Sequence, residues 1–348
     1  MTGVPEATSR FVEGFKARYA TDEVLEGLST VRPLRILVIG EAIVDEYSYC
    51  TPIGKAPKDP IISAKHIRLE RHAGGVLACA NHVAAFCDEV HLLTCLGGDN
   101  SHETFIRERL RPNIAPHFFV REAAPMITKR RYVTEGALLK MFEVVVMDDT
   151  PLPRELEEQM LEHLDRTLAT YDVVIVADYG HGLLGPRTVG VLAERARFLA
   201  VNTQANPGNV GFNVVTKYPR AGYVCLDEQE VRLAVRDRWS PVPALVDAVR
   251  ALLKSSAVSV TLAARGVLVS GPDEVQREIP ALSAAVVDKM GAGDAYFAIT
   301  APCVAAGLPM EVVGLLGSAA AALAVGFVGN RSFVERASLE SFVRALLA

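Results

Sequence analysis

Six short apolar runs, each followed by a helical pattern or a turn, constrain this chain more than anything else in it. LRILVIGEAIVDEY (34–47), EVHLLTCLG (89–97), DVVIVADYG (172–180), RFLAVNT (197–203), AGYVCLD (221–227) and SVTLAARG (259–266) are near-continuous and rich in β-branched residues. Such runs read as strands buried on both faces of a parallel sheet. Between them lie VLACANHVAAF (76–86), SHETFIRERL (101–110), RELEEQMLEHLDRTLATY (154–171), PRTVGVLAERAR (186–197) and PVPALVDAVRALLKSS (241–256), which carry helical spacing. The alternation predicts an α/β fold, with a mainly parallel, doubly wound sheet between two helical layers. Residues 1–30 predict one or two amphipathic helices ending near Ser29-Thr30, an arm that packs on the domain or faces a partner. Residues 47–72 and 116–147 carry strand patterns and turns without a helix. Strand-rich insertions of this kind fold over the carboxyl edge of such a sheet as a lid. The expected organisation is a helical arm (1–30) and one core domain (31–348) with a discontinuous lid.

Composition narrows the function. The net charge of the 348 residues is −5, so no global basic field recruits nucleic acid or an anionic membrane, and an anionic substrate needs a local cluster of cations. Cys50, Cys79, Cys87, Cys95, Cys225 and Cys303 form no CxxC pair and read as free thiols in a reducing cytosol. The histidines show no HxxxH or HExxH spacing, which argues against a zinc site. The first 30 residues lack the apolar core of a signal peptide, and Val312–Val328, rich in Ala and Gly, reads as a buried helix rather than a membrane span. A cytoplasmic protein is expected.

The chemistry concentrates in DKMGAGDAYF (288–297). The expected order is a strand over 283–288, a glycine loop, then a helix over about 293–306. A helix start leaves backbone N–H groups unpaired and slightly positive, and glycines remove the Cβ atoms that would keep a phosphate away. Gly291, Ala292 and Gly293 thus outline an anion hole. A carboxylate beside bound phosphate makes sense if Asp294 faces a hydroxyl and takes its proton as the oxygen attacks phosphorus. The competing reading is a tight turn with Asp294 as a plain helix cap.

This segment resembles the D-x-x-G-A-G-D signature of the ribokinase-like sugar kinases, the PfkB family. LVIGEAIVDEYSYC (37–50) resembles the family's first strand, and HAGGVLACANHVAAFCDEVHLLTCLGGDN (72–100) its first signature. Within the family the likeness is to the kinase domain of the bifunctional heptose-phosphate kinase/nucleotidyltransferase: GKAPKDPI (54–61), ITKRRYV (127–133) and VADYGHGLL (176–184) are similar to its lid segments and its D-Y-G-K-G turn. The resemblance covers roughly 34–345, and no nucleotidyltransferase module is visible. It implies a three-layer α/β/α fold with a small β lid, and ATP-dependent phosphorylation of a sugar or sugar-phosphate hydroxyl. It implies Asp294 as base, Asp45 with Gly74 and Gly75 against the acceptor, and Glu228 organising Mg2+. It further implies Thr261, Arg265 and Gly266 in the nucleotide loop, Gly329 and Asn330 near the adenine, and a homodimer through the lid. On an extended strand Lys129 and Arg131 share a face and would clamp a substrate phosphate. Asp178 and His181, at a strand's carboxyl end, would face the acceptor, or else form a polar turn.

The sequence departs from the family at ligand-facing positions. Ala78 stands at the sugar-binding asparagine, with Asn81 nearby; Cys225 replaces the asparagine of N-x-x-E; Ala263 replaces a nucleotide-loop glycine; Met290 replaces the threonine before GAGD; and NTQANPGN (202–209) replaces an acidic stretch. A thiol is a poor magnesium ligand. A weak or inactive pseudokinase acting as a scaffold is therefore the alternative. A dinucleotide-dependent dehydrogenase is disfavoured because VIGEAIVDEY lacks GxGxxG.

Overall fold

The computed structural model describes residues 6–273, 275–282 and 286–348. Its strands are β1 (Arg35–Gly40), β2 (Ala42–Lys55), β3 (Ile62–Gly75), β4 (Glu89–Asp99), β5 (Ile114–Pro125), β6 (Thr128–Thr134), β7 (Lys140–Val146), β8 (Val173–Asp178), β9 (Leu199–Thr203), β10 (Tyr223–Asp227), β11 (Ala257–Thr261), β12 (Val267–Ser270) and β13 (Gln276–Ile279). The helices are α1 (Glu6–Lys16), α2 (Thr21–Ser29), α3 (Val76–Ala84), α4 (Glu103–Arg109), α5 (Arg154–Thr167), α6 (Pro186–Arg195), α7 (Glu228–Val235), α8 (Val242–Leu253), α9 (Ala292–Ala305), α10 (Met310–Ala324) and α11 (Arg336–Leu347).

The large sheet runs β13-β12-β11-β10-β9-β8-β1-β4-β5. From β11 to β5 every pairing is parallel, and β12 and β13 close one edge antiparallel. Side-chain alternation explains the three layers. Along β1, Ile36 and Val38 face one core with α3, α9, α10 and α11, while Leu37 and Ile39 face the other with α5, α6, α7 and α8. The chain leaves β1 for β4 and β5 on one side, then returns to build β8 to β11 on the other. The topological switch point therefore lies between β1 and β8, where doubly wound sheets bind ligands.

The run 34–47 is not one strand. It breaks at Glu41; β2 leaves the large sheet and pairs with β3 and β6 in a second sheet ordered β3-β2-β6-β7. Of the expected lid segment 116–147, residues 116–125 instead extend β5 along the large sheet, and only β6 and β7 join the small one. The expected strand over 283–288 lies partly outside the described residues, and 286–288 is not a strand.

The two N-terminal helices are not a free arm. Phe15, Val24, Leu25 and Leu28 are buried in the core shared with α10 and α11. Arg344 pairs with Asp22 at 3.0 Å, and Arg18 pairs with Glu311 of α10. Truncating a fully buried aromatic costs about 3–5 kcal/mol. Phe15→Ala should therefore lower stability by about 3 kcal/mol or more, read as a fall in chemical-denaturation midpoint; a near-neutral result would mean that α1 contributes little to the core.

Candidate functional site

The site forms where the parallel strands end. Gly291, at φ 81°, ends the glycine loop and caps α9, so that Ala292, Gly293 and Asp294 occupy the helix's first turn. A Cβ at Gly291 would also stand 2.5 Å from Asn330 Oδ1, so only glycine suits the position. The first intrahelical bond runs from the Ala295 amide to the Gly291 carbonyl at 2.9 Å. Among the described residues nothing accepts from the amides of Ala292, Gly293 and Asp294, and the space over Gly293 is open.

Asp294 is partly buried beside these amides. Tyr179 donates its hydroxyl to Asp294 Oδ1 at 2.8 Å. Burial pushes the carboxyl up to about 6 against that hydrogen bond; Asp45 pushes the same way and Lys129 opposes. Asp294 is thus a carboxylate that protonates nearer neutral pH than a solvated aspartate, and Gly291 rather than Asp294 caps the helix.

The small sheet supplies the opposite wall. Register sets Asp45 of β2 beside Lys129 of β6, and Tyr47 beside Arg131. Lys129 and Arg131 do share the inward face, and both are buried. Arg130 faces away and pairs with Glu46 at 2.6 Å. Arg131 is already engaged, by Asp45 at 2.6 Å and by Glu143 at 2.9 Å. Lys129 makes no described ion pair, and burial lowers its pKa. The Asp45 carboxylate packs onto Gly74, where a Cβ would meet Oδ2 at 2.0 Å. Gly75 caps α3.

Other expected residues fall elsewhere. Asn81 is fully buried; it donates to the Leu77 carbonyl and accepts from the Arg111 amide, so its place is structural. Asp178 is sealed in, accepting from Tyr218 and Lys217 at 2.6 Å each and from the Gly180 amide at 3.1 Å. His181 is buried with neither ring nitrogen hydrogen-bonded among the described residues, and it lines a small cavity with Glu41, Arg121 and Ile127. Burial and Lys129 push its pKa down to about 4. Gly329 and Asn330, expected near the adenine, lie against Asp288 and Asp45: Asn330 donates to Asp45 Oδ2 at 3.1 Å, and the Gly329 amide to Asp288 at 3.1 Å.

The second half of the edge lies after β10 and β11. Cys225 is buried in the core, where burial pushes its thiol up. Asp227 caps α7 in a reciprocal capping box with Glu230, so it does not stand free in the missing asparagine's place. Both oxygens of Glu228 are held by guanidiniums, Arg232 at 2.8 Å and Arg265. Among the described residues no three acidic, imidazole or thiol groups converge on a metal position. Magnesium usually keeps its waters and binds largely through nucleotide phosphates, and one outer carboxylate such as Glu228 fits that habit. Thr261 ends β11, and the following turn runs from Ala263 to Gly266, at φ 102°.

A model of the pfkB family of carbohydrate kinases matches residues 34–336. The chain belongs to that family. It is a sugar kinase, and kinases of this group use ATP. Curated relatives include the bifunctional protein HldE of Campylobacter jejuni, 25% identical over 92% of this chain and 67% of its own length. The HldE of Acidiphilium cryptum is 26% identical over 90% of this chain and 64% of its own. The kinase thus spans about two thirds of these relatives. Among solved structures, Thermotoga maritima ribokinase superposes at TM-score 0.70 with 20% identity, over 89% of this chain and 99% of that one. Escherichia coli phosphofructokinase-2 superposes at 0.73 with 14% identity, over 90% and 100%. The fold is ribokinase-like, and no described helix is long and apolar enough to cross a membrane.

Three groups at this site were not singled out from sequence. Glu41 sits buried at the switch point and accepts from the Tyr179 and His181 amides at 2.9 and 3.0 Å. Tyr179 belongs to the VADYGHGLL stretch. Asp288 gathers Tyr47 Oη at 2.9 Å and Lys140 Nζ at 2.6 Å, tying β2 and β7 to the glycine loop. The position after a parallel strand's carboxyl end was the available signal for Glu41 and Tyr179. Ala263, in place of a glycine, still holds φ 52°. A left-handed alanine costs about 1–2 kcal/mol. Ala263→Gly should recover about 1 kcal/mol, a rise of about 1–2 °C in Tm by calorimetry; an unchanged or lower Tm would mean that the turn carries no strain.

Proposed function

We propose that this kinase transfers the γ-phosphoryl group of ATP to a hydroxyl of a sugar phosphate of the heptose-phosphate kind. The observation that carries this reading is Asp294 on the first turn of α9, beside unpartnered amides and facing a wall that bears Lys129 and Asp45. Asp294 takes the acceptor proton as the hydroxyl oxygen bonds to phosphorus and the bond to the β-phosphate oxygen breaks. The amides of Ala292, Gly293 and Asp294 hold the charge on the migrating group. Magnesium, when bound, offsets the nucleotide's charge; Glu228 would face it through water, with Arg265 freed to meet a phosphate. Asp45, held by Arg131 and Asn330, orients the acceptor hydroxyls.

The phosphate clamp differs from the expected pair. Arg131 is neutralised by Asp45 and Glu143, which leaves Lys129, with His181 beyond it, for the substrate's phosphate. Residues 31–348 are read as one kinase domain, with 1–30 packed onto it and the small sheet as its lid. Exposed Phe142, Val144 and Val146 on β7 support pairing of that lid with a second copy. A cytoplasmic setting fits an ATP-dependent enzyme with free thiols.

Asp294→Asn should cut turnover by several powers of ten and leave ATP affinity within a few-fold, by calorimetric titration; retained turnover would remove Asp294 as base. The base works ionised, so activity of the unaltered enzyme should fall as pH drops below about 6. Lys129→Met should raise KM for sugar phosphates more than tenfold and leave KM for unphosphorylated sugars unchanged. An equal effect on both would sink the clamp.

A further inference from the structure

The turn after β8 is held more firmly than a surface turn needs to be. Below it, Glu41 spends both carboxylate oxygens on the amides of Tyr179 and His181. Above it, Asn206 and Asn209 both donate to the Tyr179 carbonyl, at 2.9 and 2.8 Å. These asparagines belong to NTQANPGN, the stretch where the chain leaves its family's acidic pattern. A third, Asn213, donates to the neighbouring Asp178 carbonyl at 3.0 Å. The product of all this bonding is one buried phenol whose hydroxyl meets Asp294 Oδ1. Burial and the adjacent Asp294 charge keep that phenol protonated, so it acts as a donor.

We propose that Tyr179 is a positioning residue for the catalytic base: its hydroxyl fixes one oxygen of Asp294 and turns the other toward the acceptor hydroxyl, while Glu41, Asn206 and Asn209 hold Tyr179 in place. The inference rests on Asp294 being the base. The charged and titratable groups facing Asp294 are Tyr179 from the turn after β8, Asp45 from β2, Lys129 from β6, Cys79 from α3, Cys225 from β10 and Glu230 from α7. Of these, only Tyr179 hydrogen-bonds to the carboxylate among the described residues. A donor to the ionised form favours that form, so its removal moves the carboxyl toward protonation. The asparagines act at one remove, because a carbonyl released from two donors lets the ring leave its place.

The test uses the full chain with ATP, magnesium and the best acceptor from a sugar-phosphate panel. Tyr179→Phe should move the acidic limb of the kcat profile to higher pH by about one unit and lower kcat at neutral pH about tenfold, leaving ATP affinity unchanged. An acidic limb that stays in place overturns the proposal, whatever happens to the plateau. If Tyr179→Phe fails to fold, Asn206→Ala with Asn209→Ala carries the test: the same upward movement supports the idea, and none overturns it. Titration of the Asp294 carboxyl by carbon-13 NMR, assigned by its loss in Asp294→Asn, reads the same shift without any acceptor. Failure of the kinase reading would appear separately, as absent turnover in the unaltered protein.

Discussion

A parallel strand buried on both faces has only its ends in which to place polar groups. The strands of the large sheet largely obey that constraint, with Thr94 and Ser259 as hydrogen-bonded polar groups inside β4 and β11, and the candidate site follows from it. β1, β8, β10 and β11 are mostly apolar, with Ser259 inside β11 accepting from the Tyr223 and Tyr296 hydroxyls, and deliver Glu41, Tyr179, Asp227 and the Thr261 turn at one edge. The chain reverses its winding direction between β1 and β8, which opens a crevice there. Asp294 does not belong to that sheet at all. It arrives on α9, whose core-facing residues fill the layer beneath, and it meets the sheet's edge through one phenol.

Charge at this site is balanced in pairs. Asp45 is met by Arg131 and Asn330, Glu228 by two guanidiniums, Asp288 by Lys140, and Asp178 by Lys217. Breaking such a partly buried pair leaves one charge uncompensated, which is why each partner is fixed. Lys129 stands apart as a buried ammonium with no described ion pair, 6.0 Å from the ring of Tyr179. A buried cation without a fixed partner invites an anion, which is the physical basis for expecting a phosphate on the acceptor.

The departures from the family pattern divide by environment. Cys225 points into the core, so the asparagine it replaces has no stand-in at that position. Ala263 holds a left-handed φ of 52°, a conformation that glycine adopts more easily. NTQANPGN exchanges acidic side chains for amides that hold the turn bearing Tyr179. The changes rearrange the supports around Asp294 and the glycine loop and leave both in place.

Sequence by itself determined the α/β class, the strand and helix order, the glycine loop and the candidate base, because burial on two faces and helix-start chemistry are local properties. It also placed Lys129 and Arg131 on one face, since strand alternation is local. It did not determine that 34–47 would break at Glu41 and hand its second half to another sheet. Nor could it say that Arg131 would be consumed by Asp45, that Asn81 and Asp178 would turn inward, or that Asn330 would reach Asp45. Those outcomes join residues from 30 to 285 positions apart. Only the packed tertiary structure brings such pairs within hydrogen-bond reach, because hydrogen bonds are short-ranged and chain order carries no information about which distant groups will meet.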